Sequence, residues 1–150
     1  MDGREQHDGR CRAVQPPPQL IVDLIAPSID NVAAYATVVK LLFSIVAALG
    51  VYRICLVYGA RPVWSAVAGV AFPLSGWFLF FDQASWMTAL TGTAWLVHAW
   101  ASAVRYTRGT GGPIPVFVFL YLTITTQYIF PAIEAILVLG AVAVGEWLYL

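Results

Sequence analysis

The chain predicts an all-α fold of the integral membrane class: a helical bundle of about five transmembrane helices, preceded by a disordered tail and a short interfacial helix. Three observations carry this expectation. Sixty per cent of the 150 residues are hydrophobic and only 11% are charged, giving a mean hydropathy of +0.77, above what a water-soluble domain sustains. From residue 32 onward, apolar runs close to span length alternate with short charged breaks. Those runs are continuously apolar, whereas strands of a membrane barrel would alternate with a period of two.

The elements follow in order. Residues 1–15, MDGREQHDGRCRAVQ, carry six of the sixteen charged side chains and no apolar run, so they predict a disordered tail that lacks the hydrophobic core of a secretory signal. In PPPQLIVDLIAPSID, residues 16–30, Leu20, Ile21, Leu24 and Ile25 recur at helical spacing while Asp23 and Asp30 stay polar. This segment is too short to cross a bilayer and predicts an interfacial helix, started by the prolines and stopped around Pro27. The transmembrane domain occupies 32–150, with spans expected at 32–52, 63–81, 87–104, 114–131 and 132–150; Pro73 would kink the second, and a tight turn at Pro131 would divide the last two. At about 20 residues per span the membrane part takes roughly two-thirds of the chain. No room is left for a soluble catalytic domain, so any chemistry has to sit within or between helices.

Charge sets the expected orientation. Eight basic residues balance eight acidic ones, and no basic run or basic–aromatic patch marks a nucleic-acid surface, so no nucleic-acid partner is expected. Arg53 and Arg61 follow the first span and Arg105 and Arg108 the third, whereas the other breaks hold Asp82 and Glu134. By the bias of cations toward the inner side, both arginine loops face the cytoplasm of a multi-pass protein in the cell membrane, and the N-terminus, Asp82 and the Pro131 turn lie outside. Cys11 and Cys55 then fall on opposite sides, which excludes an intramolecular disulfide.

Few side chains offer chemistry. Asp82, in the outer loop DQASW between Phe81 and Trp86, reads as a polar turn held by interfacial aromatics, or as a holder of a cation or sugar hydroxyl. Lys40, two turns inside the first span, faces the bundle interior with Asp30 or an anionic lipid phosphate as partner. His98, between Trp95 and Trp100, reads as a hydrogen-bonded packing residue; no second histidine or cysteine supplies metal spacing, and neither metal nor cofactor is expected. Gln127 and Tyr128 end the fourth span, with Glu134 beyond Pro131, as a polar pocket or as a capped helix turn. Glu146 either snorkels or pairs with Arg105 or Arg108. RGTGGPIP, residues 108–115, lacks the lysine and flanking strand of a phosphate loop and reads as a flexible linker.

The stretch KLLFSIVAALGVYRICLVYGARPVWSAVAGVAFPLSGWFLFFDQASWMTALTGTAWLVHAW, residues 40–100, resembles the helices that follow the first outer loop of the YfhO-like bacterial membrane proteins. These in turn are similar to lipid-linked-sugar glycosyltransferases of the C superfamily. The resemblance rests on Lys40-Leu41-Leu42, the Gly50-x-Tyr52-Arg53 turn, the FPLSGWF helix, an aromatic–polar outer loop, a tryptophan-bearing helix after it, and TQYIF behind a glycine-rich break; it runs from about residue 16 to 150. It implies sugar transfer from a polyprenyl-phosphate donor at the outer membrane face, and it carries over Lys40, Asp82, Gln127 and Tyr128 as contacts to lipid phosphate or sugar. The family's general base sits on the first outer loop, which this sequence lacks together with the helix before it, so no catalytic acid transfers. Glycosyl transfer needs a base at the acceptor hydroxyl and positive charge at the leaving phosphate. Asp82 and Lys40 are the nearest such pair, on different helices at different depths. The unrelated tail and the abrupt end at Leu150 make the leading expectation a truncated, non-catalytic piece of such a protein. The alternatives are an enzyme or enzyme subunit, and a small scaffold or transport accessory subunit associating through Ala66, Gly69 and Ala71. Expected partners are membrane lipid, a polyprenyl-phosphate-linked sugar and other membrane helices.

Overall fold

A computed structural model describes residues 31–75, 87–126 and 129–149, together with Leu24. The expected tail, most of the interfacial segment, the Asp82 loop, and Gln127 and Tyr128 lie outside the described residues. Among those described there are five α-helices and no strand: α1 (Val32–Val57), α2 (Pro62–Ala71), α3 (Met87–Thr107), α4 (Ile114–Ile124) and α5 (Ile129–Tyr149).

Local chemistry explains the helix ends. Asn31 caps α1, its side-chain oxygen accepting from the Ala33 and Ala34 amides at 2.9 and 3.3 Å. Both α1 and α3 stop in the same way. Gly59 (φ 83°) and Gly109 (φ 68°) turn the chain left-handed, and paired bonds close the last turn: Gly59 to Leu56 and Ala60 to Cys55 in α1, Gly109 to Tyr106 and Thr110 to Arg105 in α3. Prolines open α2 and α4, where a missing amide hydrogen is harmless.

The contacts give the direction of each helix. Phe43 meets Trp95, Val46 meets His98 and Val57 meets Arg108, so α1 and α3 run parallel. Gly92 meets Pro131 and Arg108 meets Glu146, so α5 runs parallel to both. Between them α2 and α4 run back, Gly69 beside Ala48 and Phe119 beside His98. The central element is α3, which packs on α1, α4 and α5, while α2 lies on α1. All three parallel helices therefore end together, bringing the 58–61 and 108–113 connections to one end of the bundle. Arg53, Arg61, Arg105, Arg108 and Glu146 gather there.

Inward faces mix apolar side chains with glycine and hydroxyls, and large apolar side chains crowd the outward faces. Along α1, Val39, Phe43, Ala47 and Gly50 are buried while Leu41, Ile45 and Leu49 are exposed. Ser65 and Gly69 are the buried residues of α2, and Val63, Trp64, Val67 and Val70 point out. In α5, Pro131, Ala135, Val142 and Glu146 face in, and Ile136, Leu137, Val144 and Leu148 face out. The buried hydroxyls of Ser65, Thr123 and Thr126 donate back to carbonyls of their own segments, so they need no partner from another helix.

Several expectations change in detail. Among the described residues, only Ala33–Val57 and Ile129–Tyr149 are long and apolar enough to cross a membrane. At 10 and 11 residues, α2 and α4 reach about 15 and 17 Å, half the hydrocarbon thickness; α3 has the length, but four threonines, two tryptophans, His98 and Arg105 make it less apolar. At the expected kink, α2 ends at Ala71, two residues before Pro73, and the rest of the expected span beyond residue 75 lies outside the described residues. Pro73 cannot donate to the Gly69 carbonyl, and Leu74 and Ser75 bond three residues back in a tight turn. The break before α5 comes at Thr125 and Thr126, while Pro131 sits in the first turn of α5, packed against Gly92. Arg53 is not in a loop at all, because α1 continues four residues past it.

Candidate functional site

Two polar clusters occupy the arginine end. The first is built on His98, which is 7% exposed and lies in the middle of α3. Its Nε2 is 2.8 Å from the Val46 carbonyl of α1, so Nε2 carries the proton and donates it. Nδ1 is then a bare acceptor, and Nη1 of Arg53 donates to it at 2.8 Å. Gly50 makes this approach possible: a side chain there would strike Val97 and crowd the His98 ring. Phe119 of α4 stacks on the imidazole with centroids 5.0 Å apart, and the Arg53 guanidinium lies 5.7 Å from the Phe119 centroid. Trp95 completes the aromatic wall, stacked on Phe119 at 6.1 Å and edge-on to Phe43 at 6.0 Å. With both ring nitrogens engaged, His98 positions Arg53 and is not available as a general base.

The second cluster ties three helix ends together. Nε and Nη2 of Arg108 donate to the two carboxylate oxygens of Glu146, each at 2.7 Å, and Nη1 donates to the Val57 carbonyl at 2.9 Å. One guanidinium thus joins α5 to the carbonyl end of α1, where a cation is favoured. Tyr58 and Tyr149 flank it, 5.0 and 5.9 Å from the guanidinium carbon, and Trp100 donates to the Tyr58 hydroxyl at 3.3 Å. Hydrogen bonding to Glu146 raises the proton affinity of Arg108 above its ordinary value, so the pair stays ionic. An open groove of about 480 Å³ runs beside it, lined by Trp100, Val138, Ala141 and Gly145 as well as the ion pair and its tyrosines. Of the partners expected for Glu146, Arg108 is the one it takes.

Of the four residues singled out from the sequence, the described structure holds Lys40 alone; Asp82, Gln127 and Tyr128 lie outside it. Lys40 is half-buried in α1, 13 residues before Arg53 and therefore about 20 Å from the arginine end. Glu134 is half-buried near the start of α5, also far from that end. Cys55 is a half-buried free thiol, and among the described residues no three metal-ligating side chains cluster. Of the small residues proposed for association, Gly69 is used inside the fold against the Ala48 carbonyl, while Ala66 and Ala71 are exposed. Sequence reasoning missed Arg53 and Phe119. The available signal was the cost of an ionisable group in an apolar helix, which calls for a partner on another helix without saying which.

The chain matches no protein-family model, no curated protein and no solved structure.

Proposed function

We propose that the chain is a multi-pass protein of the cell membrane whose helices form a non-catalytic packing module, comparable to part of a YfhO-like helix array, with its arginine end in the cytoplasm. The observation that carries this reading is an apolar exterior around a core that also holds polar groups. Leu41, Ile45, Val63, Trp64, Phe117, Ile136 and Leu137 are all exposed, while His98, Ser65, Thr123 and Glu146 are buried. Water would penalise such an exterior, whereas lipid demands it and leaves polar groups to find partners within the bundle. Four arginines against one glutamate at the end shared by both connections suit the cytoplasmic face. On this reading the module works through lipid and helix contacts.

The test is extraction. Membranes containing the chain, washed at alkaline pH and then in urea, should retain it in the pellet, with release only by detergent; release by either wash defeats the reading. A parallel assay for sugar transfer from a polyprenyl-phosphate donor should give the rate of membranes lacking the chain. Transfer above that background would make the module an enzyme.

A further inference from the structure

The arginine end holds more positive charge than its acid can neutralise. Glu146 gives both oxygens to Arg108. Arg53 and Arg105 bond no carboxylate among the described residues: Arg53 donates from Nη1 to His98, and Arg105 from Nη2 to the Thr110 carbonyl at 3.3 Å. Their placement follows from the fold. His98 and Arg105 are seven residues apart, two turns along the same face of α3, and that face meets α4 and the loop before it, through Phe119 at His98 and Gly111 at Arg105. Arg53 reaches the same seam from α1, over Phe119.

Arg53 is also held in place. A long side chain near a helix end normally swings freely toward water. This one is anchored by the bare nitrogen of a buried imidazole whose tautomer is set by a backbone carbonyl, and it is backed by an aromatic ring. The anchor uses one of five N–H donors and leaves a planar fork directed away from His98. A pre-positioned guanidinium fork on the same seam as a second guanidinium has the chemistry of a phosphate receptor: paired donors match two oxygens of one phosphoryl group, and an anion between two cations is attracted to both.

We infer that Arg53 and Arg105, on the seam between α1, α3 and α4, form a binding site for a phosphoryl group. Two sources share that chemistry, an anionic lipid headgroup and a soluble phosphate. The headgroup source rests on the membrane reading above; the site itself does not. Exposed Tyr106, Ile114 and Phe117, at the same end of α3 and α4, offer the apolar surface an acyl chain needs.

The experiment uses the full chain purified in an uncharged detergent. Phosphatidic acid in mixed micelles, phosphatidylcholine as a zwitterionic comparison, and inorganic phosphate are titrated separately, with binding read by native mass spectrometry and by the shift in melting temperature. Phosphatidic acid should bind and raise the melting temperature where phosphatidylcholine does not, and Arg53→Gln and Arg105→Gln should each weaken that binding by roughly tenfold. Arg61→Gln, at the same end but outside the site, should leave it unchanged. If inorganic phosphate binds with the same arginine dependence and competes, the site stands and its ligand is soluble. The proposal is overturned if neither phosphate source binds, or if Arg61→Gln weakens binding as much as the other two, which would reveal diffuse surface charge. Should Arg53→Gln fail to fold for want of the His98 bond, the exposed Arg105→Gln decides, and undiminished binding by it rejects the site. Extraction keeps the two readings apart. A chain that stays in washed membranes but ignores phosphate loses only the site, and one that washes out yet binds phosphate loses only the membrane reading.

Discussion

His98 spends both ring nitrogens on α1, so replacing it removes two interhelical bonds at once. In His98→Phe the ring still fills the space against Phe119, but Arg53 loses its acceptor and is left half-buried with a charge to hydrate. The Val46 carbonyl suffers less, because it keeps its own helical acceptor role. The expected loss is about 1–3 kcal/mol, measured by denaturant unfolding in micelles, since deleting one partner of a buried hydrogen bond leaves the other unsatisfied. Stability equal to that of the parent chain would mean that the Arg53 contact contributes nothing. At this scale the sequence was partly legible. A lone histidine among tryptophans is readable as a bonded packing residue, because burial obliges its polar atoms to find partners. Its partner was not readable, since Arg53 is 45 residues away and only the parallel packing of α1 on α3 brings the two together.

Helix ends are where local rules and packing compete. Gly109 meets a strictly local demand: left-handed backbone at φ 68° closes α3 and turns Arg108 toward Glu146. Gly109→Val should therefore destabilise the chain by about 1–2 kcal/mol. It should also lower the melting temperature more than the same change at Gly112, which has open space and lies outside the left-handed region. Equal effects at the two positions would show that the closing turn is not what matters. The glycine-rich break after α3 is legible in the sequence because this requirement belongs to the backbone alone. The end of α1 is less so. Arg53 looks like the start of a loop, yet the helix runs on to Val57, since His98 supplies from another helix what the apolar run cannot. Pro131 misleads for a related reason: proline marks a break only where its amide is needed, and in the first turn of α5 it is not. The small residues of α2 fit one alternative, a surface for other chains, but a glycine that lets two helices approach serves intramolecular packing equally well, and Gly69 does so against α1.

For the whole molecule, composition made the all-helical class legible, but not which helices are long and apolar enough to span. The most enclosed long helix, α3, carries four threonines, two tryptophans, His98 and Arg105, so it is less apolar than the outer helices α1 and α5. The arrangement of the connections makes a sharper statement. The fold puts the 58–61 and 108–113 connections at one end, because Arg108 reaches from one to the Val57 carbonyl beside the other. Ala60 and Gly112 are exposed points on them. In a chain whose own cysteines are changed to serine, Ala60→Cys and Gly112→Cys should share one accessibility to a membrane-impermeant maleimide: unlabelled in intact cells and labelled once the membrane is opened. In a chain that keeps Cys11 but carries Cys55→Ser, the tail should label in intact cells. Labelling of the two loop positions from opposite sides would break the alternation of helix directions on which both polar clusters depend. Labelling of both from outside would leave the bundle intact and invert it. The arginines would then face away from the cytoplasm, and the charge bias that orients most membrane helices would have failed on a chain that collects four of its eight cations at one end.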